Sequence, residues 1–293
     1  LPNGTYNIVQ GWDVQWHANL VRFIMDEGIA SPTRLGELQN VETHAQLFYP
    51  SAFHTGIAMF GKVAGLDPIP TLNIGMIALT GLALPATAAC MAFAFLRSRG
   101  RTAQIAGGLA AILVTVAPQL IWVGDYVGMW PYLFAMSLTG MVIWQFVRVP
   151  AERITALPAL AGLLGVLTAH PAAVTVVVIG VGLYWLTSTL VAPERGRISD
   201  TLWLAAPGII GAVLYLPQVF AGSAQAEEVS GWKPVESEDL DSGWAAAFTM
   251  GTRHVHQLFP GFDPTVLLWL AGLGAVALVV WRRQVWAPLF YAI

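Results

Sequence analysis

The chain has 293 residues, 56% of them hydrophobic and 11% charged, with a mean hydropathy of +0.63. A soluble domain carries about a quarter charged residues, and a disordered chain needs low hydrophobicity with high charge, so both classes are excluded. The single cysteine, Cys90, lies in an apolar run and excludes a disulfide framework within the chain. What remains is an all-α polytopic membrane protein.

In chain order, the first predicted element is a helix over Asp13–Gly28. Gln15, Asn19, Arg22 and Asp26 fall on one side of it. Val14, Trp16, Leu20, Val21, Phe23, Ile24 and Met25 fill the opposite arc. Asp13 and His17 lie in the middle of that apolar arc, four residues apart and on one face. A carboxylate turned toward an apolar surface is costly unless it is paired or used. That suits a general base or a metal ligand. The competing reading is an N-cap on the N–H of Gln15 or Trp16.

A second helix starts at Pro50, a favoured first-turn position, and runs through Phe53, Ile57, Ala58 and Phe60 to Gly65. Both helices are expected to lie at the membrane surface. His54, in Tyr49-Pro50-Ser51-Ala52-Phe53-His54, shares a stripe with Ile57 and Ala58 and reads as structural or as a ligand.

Crossing a bilayer takes about 20 apolar residues. The candidate spans are Thr71–Leu96, Thr102–Val123, Trp130–Val147, Ile154–Ala169, Ala172–Val191, Leu202–Phe220 and Pro264–Trp281, with an eighth beginning near Val285. The expected organisation is a first loop over 1–70 with two amphipathic helices, six spans over 71–220, a long loop over 221–263, and 264–293 as a span plus the start of the next. The chain reads as a segment of a longer protein.

Arginines fix the expected orientation. Arg97, Arg99 and Arg101, then Arg148 and Arg153, Arg195 and Arg197, and Arg282 and Arg283 all fall on one side if the spans alternate. That side carries +6 and is expected to be cytoplasmic. The other side carries −9 and all six histidines, which points to chemistry or binding on the extracytoplasmic face of a plasma-membrane protein; the alternative is that the outer face simply has longer loops.

On that outer side, Gly124-Asp125-Tyr126-Val127-Gly128-Met129-Trp130-Pro131 joins two spans, with glycines that let backbone approach a ligand. Asp125 there suits a cation or a sugar hydroxyl, or is a plain turn residue. His170-Pro171 marks another outer turn. In the long loop, Thr252-Arg253-His254-Val255-His256 is the cationic cluster of an acidic face. Arginine offers a bidentate fork to phosphate, so Arg253, His254 and His256 are the candidate phosphate-binding group. Local pairing with the acidic half of the loop is the alternative. The chain has no P-loop, no G-x-G-x-x-G after a strand, no H-E-x-x-H and no G-x-S-x-G. Its spans carry almost no charge, which leaves a proton or ion relay without its usual carboxylates.

The order of parts resembles the GT-C class of membrane glycosyltransferases, which use polyprenyl-phosphate sugars on the extracytoplasmic side. Gly11-Trp12-Asp13-Val14-Gln15-Trp16-His17 would open the first outer loop of that class. Residues 71–220 would be its second to seventh spans, and 221–263 the long loop before the eighth. The W-D-x-x-x-H and Y-P-x-x-x-H pieces look most like actinobacterial multi-pass proteins often suspected of belonging to this class.

The resemblance implies an inverting sugar transfer from a polyprenyl-phosphate donor to a cell-envelope glycan or lipid acceptor, with no nucleic-acid partner. By resemblance, Asp13 is the catalytic base with His17 orienting it or sharing charge. Asp125, with His54 and His170, contributes to substrate or metal binding, and Arg253 holds the lipid phosphate. A divalent cation, Mg or Mn, is part of that expectation. The chain departs from the class in lacking a second acidic residue beside Asp13 or Asp125, so a metal site would need Asp13, Asp125 and a histidine brought together by folding. It also lacks W-W-D, which excludes protein N-glycosylation. The rival readings are a non-catalytic protein that binds or transports a lipid-linked glycan, a degenerate scaffold of the same class, and an envelope-assembly subunit.

Overall fold

The computed structural model describes residues 4–8, 13–36, 38, 48–116, 124–125, 128–222, 263–282 and 284–292. The regular elements among them are helical: α1 (Val14–Glu27), α2 (Pro32–Gly36), α3 (Ala52–Ala64), α4 (Pro68–Leu96), α5 (Arg101–Val116), α6 (Trp130–Arg148), α7 (Ala156–Ala169), α8 (Val174–Tyr184), α9 (Arg197–Ala221), α10 (Thr265–Arg282) and α11 (Trp286–Ala292). A π-turn, Trp185–Thr189, extends α8. Five helical runs are long and apolar enough to cross a membrane: α4, α6, Pro171–Thr189, α9 and α10. α5 and the run Arg153–Ala169 are apolar but shorter. The predicted span Thr102–Val123 is helical to Val116, and residues 117–123 lie outside the described ones.

α6 is the central helix. Of its apolar window 67% is buried, against 22% for α4 and α9, and it touches α4, α7 and α8. Small residues let these helices approach, as membrane helices require where no hydrophobic force acts between apolar surfaces. A Cβ at Gly140 would stand 2.7 Å from the carbonyl oxygen of Thr87, so the backbones of α4 and α6 approach each other closely there. The Thr87 hydroxyl donates to the Ser137 carbonyl across the same crossing. One buried cluster joins Ile143, Val147, Val166, Val177, Tyr184 and Trp286 around α6, with α11 lodged in it through Trp286.

A second cluster is built at the other end of α4. Val14, Ala18, Leu20, Val21 and Ile24 of α1 pack on Phe53, Ile57, Leu72, Met76 and Trp130. The apolar arc predicted for α1 is therefore real, but it faces protein rather than lipid. The first turns of α3, α4 and α6 supply an apolar partner at closer range than the bilayer does. α3 keeps a second apolar face, with Met59, Phe60 and Val63 exposed, as an interfacial helix would. Gly28 and Gly65, both left-handed, close α1 and α3.

The arginine-bearing connections meet at the opposite end. Arg97 pairs with Glu194, Arg99 with Glu152 at 3.1 Å, Arg148 with Glu152, and Arg153 with Asp200. Asp200 is fully buried and accepts the backbone N–H of Glu194 at 2.8 Å and of Arg195 at 3.1 Å. Arg282 borders the same cavity as Leu96 and Thr102. The alternation read from sequence thus gathers these connections at one end of the bundle. α4 has 29 residues and separates this end from the α1 cluster by about 30 Å of helix, Met76 to Leu96.

Candidate functional site

The site lies at the end of α4 that carries α1 and α3. Helical spacing puts His17 on the same stripe as Val14 and Val21, so folding α1 onto α3 buries it to 1% exposure. His54 rides the Phe53–Ile57 stripe of α3 and is fully buried. The two rings meet: His54 Nε2 stands 3.0 Å from His17 Nδ1. His17 Nε2 stands 3.2 Å from the Gly128 carbonyl oxygen. A carbonyl only accepts, so His17 carries its proton on Nε2. Neutral His17 then accepts at Nδ1, and His54 donates from Nε2. This leaves His54 Nδ1 as a buried lone pair without a hydrogen-bond partner among the described residues. The Pro50 carbonyl one turn earlier lies beside it, where it favours the protonated ring.

Aromatic rings wall the pair. Trp130 stacks on His17 with centroids 6.4 Å apart, and Tyr49 meets His54 edge-on at 5.6 Å. Burial, above all, holds His17 down to about 4, with the charge of His170 adding to it and the Gly128 carbonyl opposing it. Burial and the neighbouring His17 hold His54 well below its ordinary value. Burial and then the Asp13 charge push the Tyr49 phenol up. At neutral pH the pair is two neutral imidazoles.

A pH dependence of stability follows from the sign of these shifts. The folded His17 titrates at about 4 and the unfolded one near 6.5, so between those values the unfolded chain binds more protons. The contribution is complete above about 6.5 and is lost as the pH falls toward 4, on the order of 3 kcal/mol for His17 alone. Thermal unfolding in detergent should show the melting temperature falling across that window. A variant with phenylalanine at both positions should lose most of the slope.

Asp13 occupies the N-cap position of α1, but its torsions are helical (φ −102°, ψ −13°) and its side chain makes no capping bond. Its carboxyl is exposed. Partial desolvation by the surrounding protein still raises its pKa. Both sequence readings of Asp13 are revised: it neither sits in the buried arc nor caps the helix.

The turn before α6 closes over this point. Gly128 takes φ 82°, and a Cβ there would stand 2.6 Å from Val14 Cγ2 and 3.9 Å from the Asp13 nitrogen. Only glycine permits that approach. The Gly128 N–H donates to the Asp125 carbonyl at 3.2 Å, and Trp130 Nε1 donates to the same oxygen at 3.0 Å. Asp125 is half-buried, and burial raises its pKa.

His170 follows the last residue of α7 and meets Tyr132 edge-on at 5.3 Å. Burial lowers its pKa, and its Nδ1 is buried without a partner among the described residues. The last turns of α9 reach the same end, since Gly222 lies against Phe48. There the Tyr215 hydroxyl and Gln218 Oε1 are buried and likewise unpartnered among the described residues.

The folded chain thus brings His17, His54 and Gly128 into direct contact, with Asp13 at the start of α1 beside Gly128 and Asp125 on the Gly128 turn. Arg253, His254 and His256 lie outside the described residues. The glycines of the turn over 124–131 were singled out from sequence for approach to a ligand, but not the Gly128 carbonyl as a histidine partner, nor Trp130, Tyr215 and Gln218 as functional groups. A backbone carbonyl has no sequence signature, and a tyrosine or glutamine inside an apolar span reads as an ordinary span residue. Among the described residues no three His, Cys, Asp or Glu side chains form a group able to hold a metal ion. Both ring nitrogens of His17 are committed to other partners. Among the described residues the donors therefore do not fit a divalent cation.

This is a polytopic helical membrane protein with a buried histidine pair beneath an exposed carboxylate. It belongs to a family of unknown function, DUF6541, whose model matches residues 2–293. No curated protein and no solved structure matches the chain.

Proposed function

We propose that the protein transfers a sugar from a polyprenyl-phosphate donor to a cell-envelope glycan or lipid on the extracytoplasmic face. One observation carries this reading: buried polar atoms without a hydrogen-bond partner among the described residues lie on elements that reach the Asp13 end. They are His170 Nδ1 after α7, and Tyr215 OH and Gln218 Oε1 in the last turns of α9. Buried polar groups in folded proteins are nearly always hydrogen-bonded. A ligand rich in hydroxyls, each both donor and acceptor, satisfies such a set. The topology resembles GT-C enzymes, in which a carboxylate of the first outer loop acts on the acceptor, and Asp13 holds that position.

In this reading Asp13 takes the proton of the acceptor hydroxyl. The acceptor oxygen attacks the anomeric carbon as the bond to the phosphate oxygen breaks, so the configuration inverts and polyprenyl phosphate leaves. A carboxyl with a raised pKa is a better base than an ordinary one. The histidine pair stays neutral and holds the Gly128 turn against α1. Arg253, with His254 or His256, is the proposed partner of the leaving phosphate.

Native mass spectrometry of the full-length protein tests the recognition. A polyprenyl-phosphate sugar should be retained about tenfold or more over polyprenyl phosphate alone, the worth of one or two hydrogen bonds to the sugar. Equal retention of the two lipids would remove the sugar from the reading.

A further inference from the structure

At the arginine-bearing end, about 30 Å of helix from the cluster that holds the site above, a cavity of 220 Å³ opens between the connections after α4 and α6. Its lining includes Arg97, Ser98, Arg99, Arg148, Glu152 and Glu194, with one positive charge in excess. Three features mark it as more than a surface ion-pair network. Arg97 is held at φ 46°, the left-handed region where glycine or asparagine is usual, and among the described residues it is the sole non-glycine there. Arg148 lies over the Trp144 ring at 5.6 Å, with its side chain mostly buried and its Nε without a partner among the described residues. Arg99 and Arg148 converge on a single oxyanion, the carboxylate of Glu152. Two guanidinium groups around one carboxylate also form the cradle that a phosphate takes.

The position says which phosphate. α4 and α6 end at Leu96 and Arg148, so the cavity lies at the depth of lipid headgroups, with Trp144 one turn inward as an interfacial aromatic. We propose that this cavity binds the phosphate of an anionic lipid headgroup, with Arg99 and Arg148 exchanging Glu152 for the phosphate oxygens. Arg97 is a fixed wall, held by Glu194 and by the Tyr184 ring at 5.8 Å. Basic pockets between membrane helices are suited to such headgroups. Glu152 is the internal competitor: its carboxylate occupies the place of the phosphate when no lipid is bound.

The test is native mass spectrometry of the delipidated full chain, titrated with phosphatidylglycerol or phosphatidylcholine of matched chains. Phosphatidylglycerol should be retained in preference. Arg99→Ala, at a side chain 63% exposed, should weaken that retention about fivefold, the effect of one basic charge on an anionic headgroup. Glu152→Gln should strengthen it by a similar factor, a gain that damage to the fold does not produce. Inorganic phosphate in the millimolar range separates the sources. If it displaces the lipid and binds alone in an Arg99-dependent way, the cavity is a phosphate site of which the headgroup is one source. If it does not displace the lipid, the site is for the lipid. Equal retention of both lipids, or retention untouched by both variants, overturns the proposal.

Discussion

Asp13→Asn should leave the fold and donor binding intact and slow the release of polyprenyl phosphate about 10²- to 10⁴-fold, the span ascribed to a positioned general base. The side chain is exposed and makes no capping bond, so the near-isosteric amide costs α1 no cap. The substitution removes the charge and the basic oxygen at nearly constant shape. The same carboxyl sets an acid limb: activity should fall as the pH drops through its raised pKa, and that limb should be absent from the variant's residual rate. Release is read as free polyprenyl phosphate against time, and binding by native mass spectrometry on the same samples. Unchanged release by Asp13→Asn would remove Asp13 from the chemistry, whatever the protein binds.

The largest effect on stability should come from the histidine pair. His17→Phe keeps the ring volume and strands two buried groups, the Gly128 carbonyl and the His54 Nε2–H. Each stranded group costs about 1–3 kcal/mol, so the single variant should lose about 2–6 kcal/mol. His54→Phe strands only His17 Nδ1 and also removes the unpartnered His54 Nδ1, so it should cost less. The double variant should be more stable than the sum of the two predicts, because the bond between the rings is then missing from both sides. Thermal unfolding of the four proteins closes this cycle. Strict additivity would mean that the two rings do not share a hydrogen bond.

How much of this was legible beforehand differs by element. The membrane class followed from 11% charge and the long apolar runs. The helix over Val14–Glu27 followed from its 3.6-residue period, and so did the burial of His17. The side-by-side placing of the arginine-bearing connections followed from simple alternation of spans, and the ion pairs of Glu152, Glu194 and Asp200 gather there as well.

Asp13 was misplaced because a helical wheel assumes that the covered face extends to the first residue. Asp13 stands at the very end of α1, where cover stops at Val14, so its side chain is exposed while His17 on the same face is buried. The bond between His17 and His54 spans 37 residues, and the one to Gly128 spans 111. Neither is fixed by local pattern. Both depend on how α1 docks on α3 and on how closely the Gly128 turn approaches Val14. The phosphate role of Arg253 remains a proposal from sequence, on residues outside the described ones.

Sugar transfer itself is tested most directly by one measurement. The purified full-length protein is incubated with a polyprenyl-phosphate sugar and an envelope lipid and glycan extract, beside Asp13→Asn, and free polyprenyl phosphate is quantified. The predicted result is release by the wild type that depends on Asp13. Bound donor with no release from either protein, acceptor present, would contradict enzymatic transfer and leave a carrier of lipid-linked glycan. No binding at all would contradict both and point to an assembly subunit.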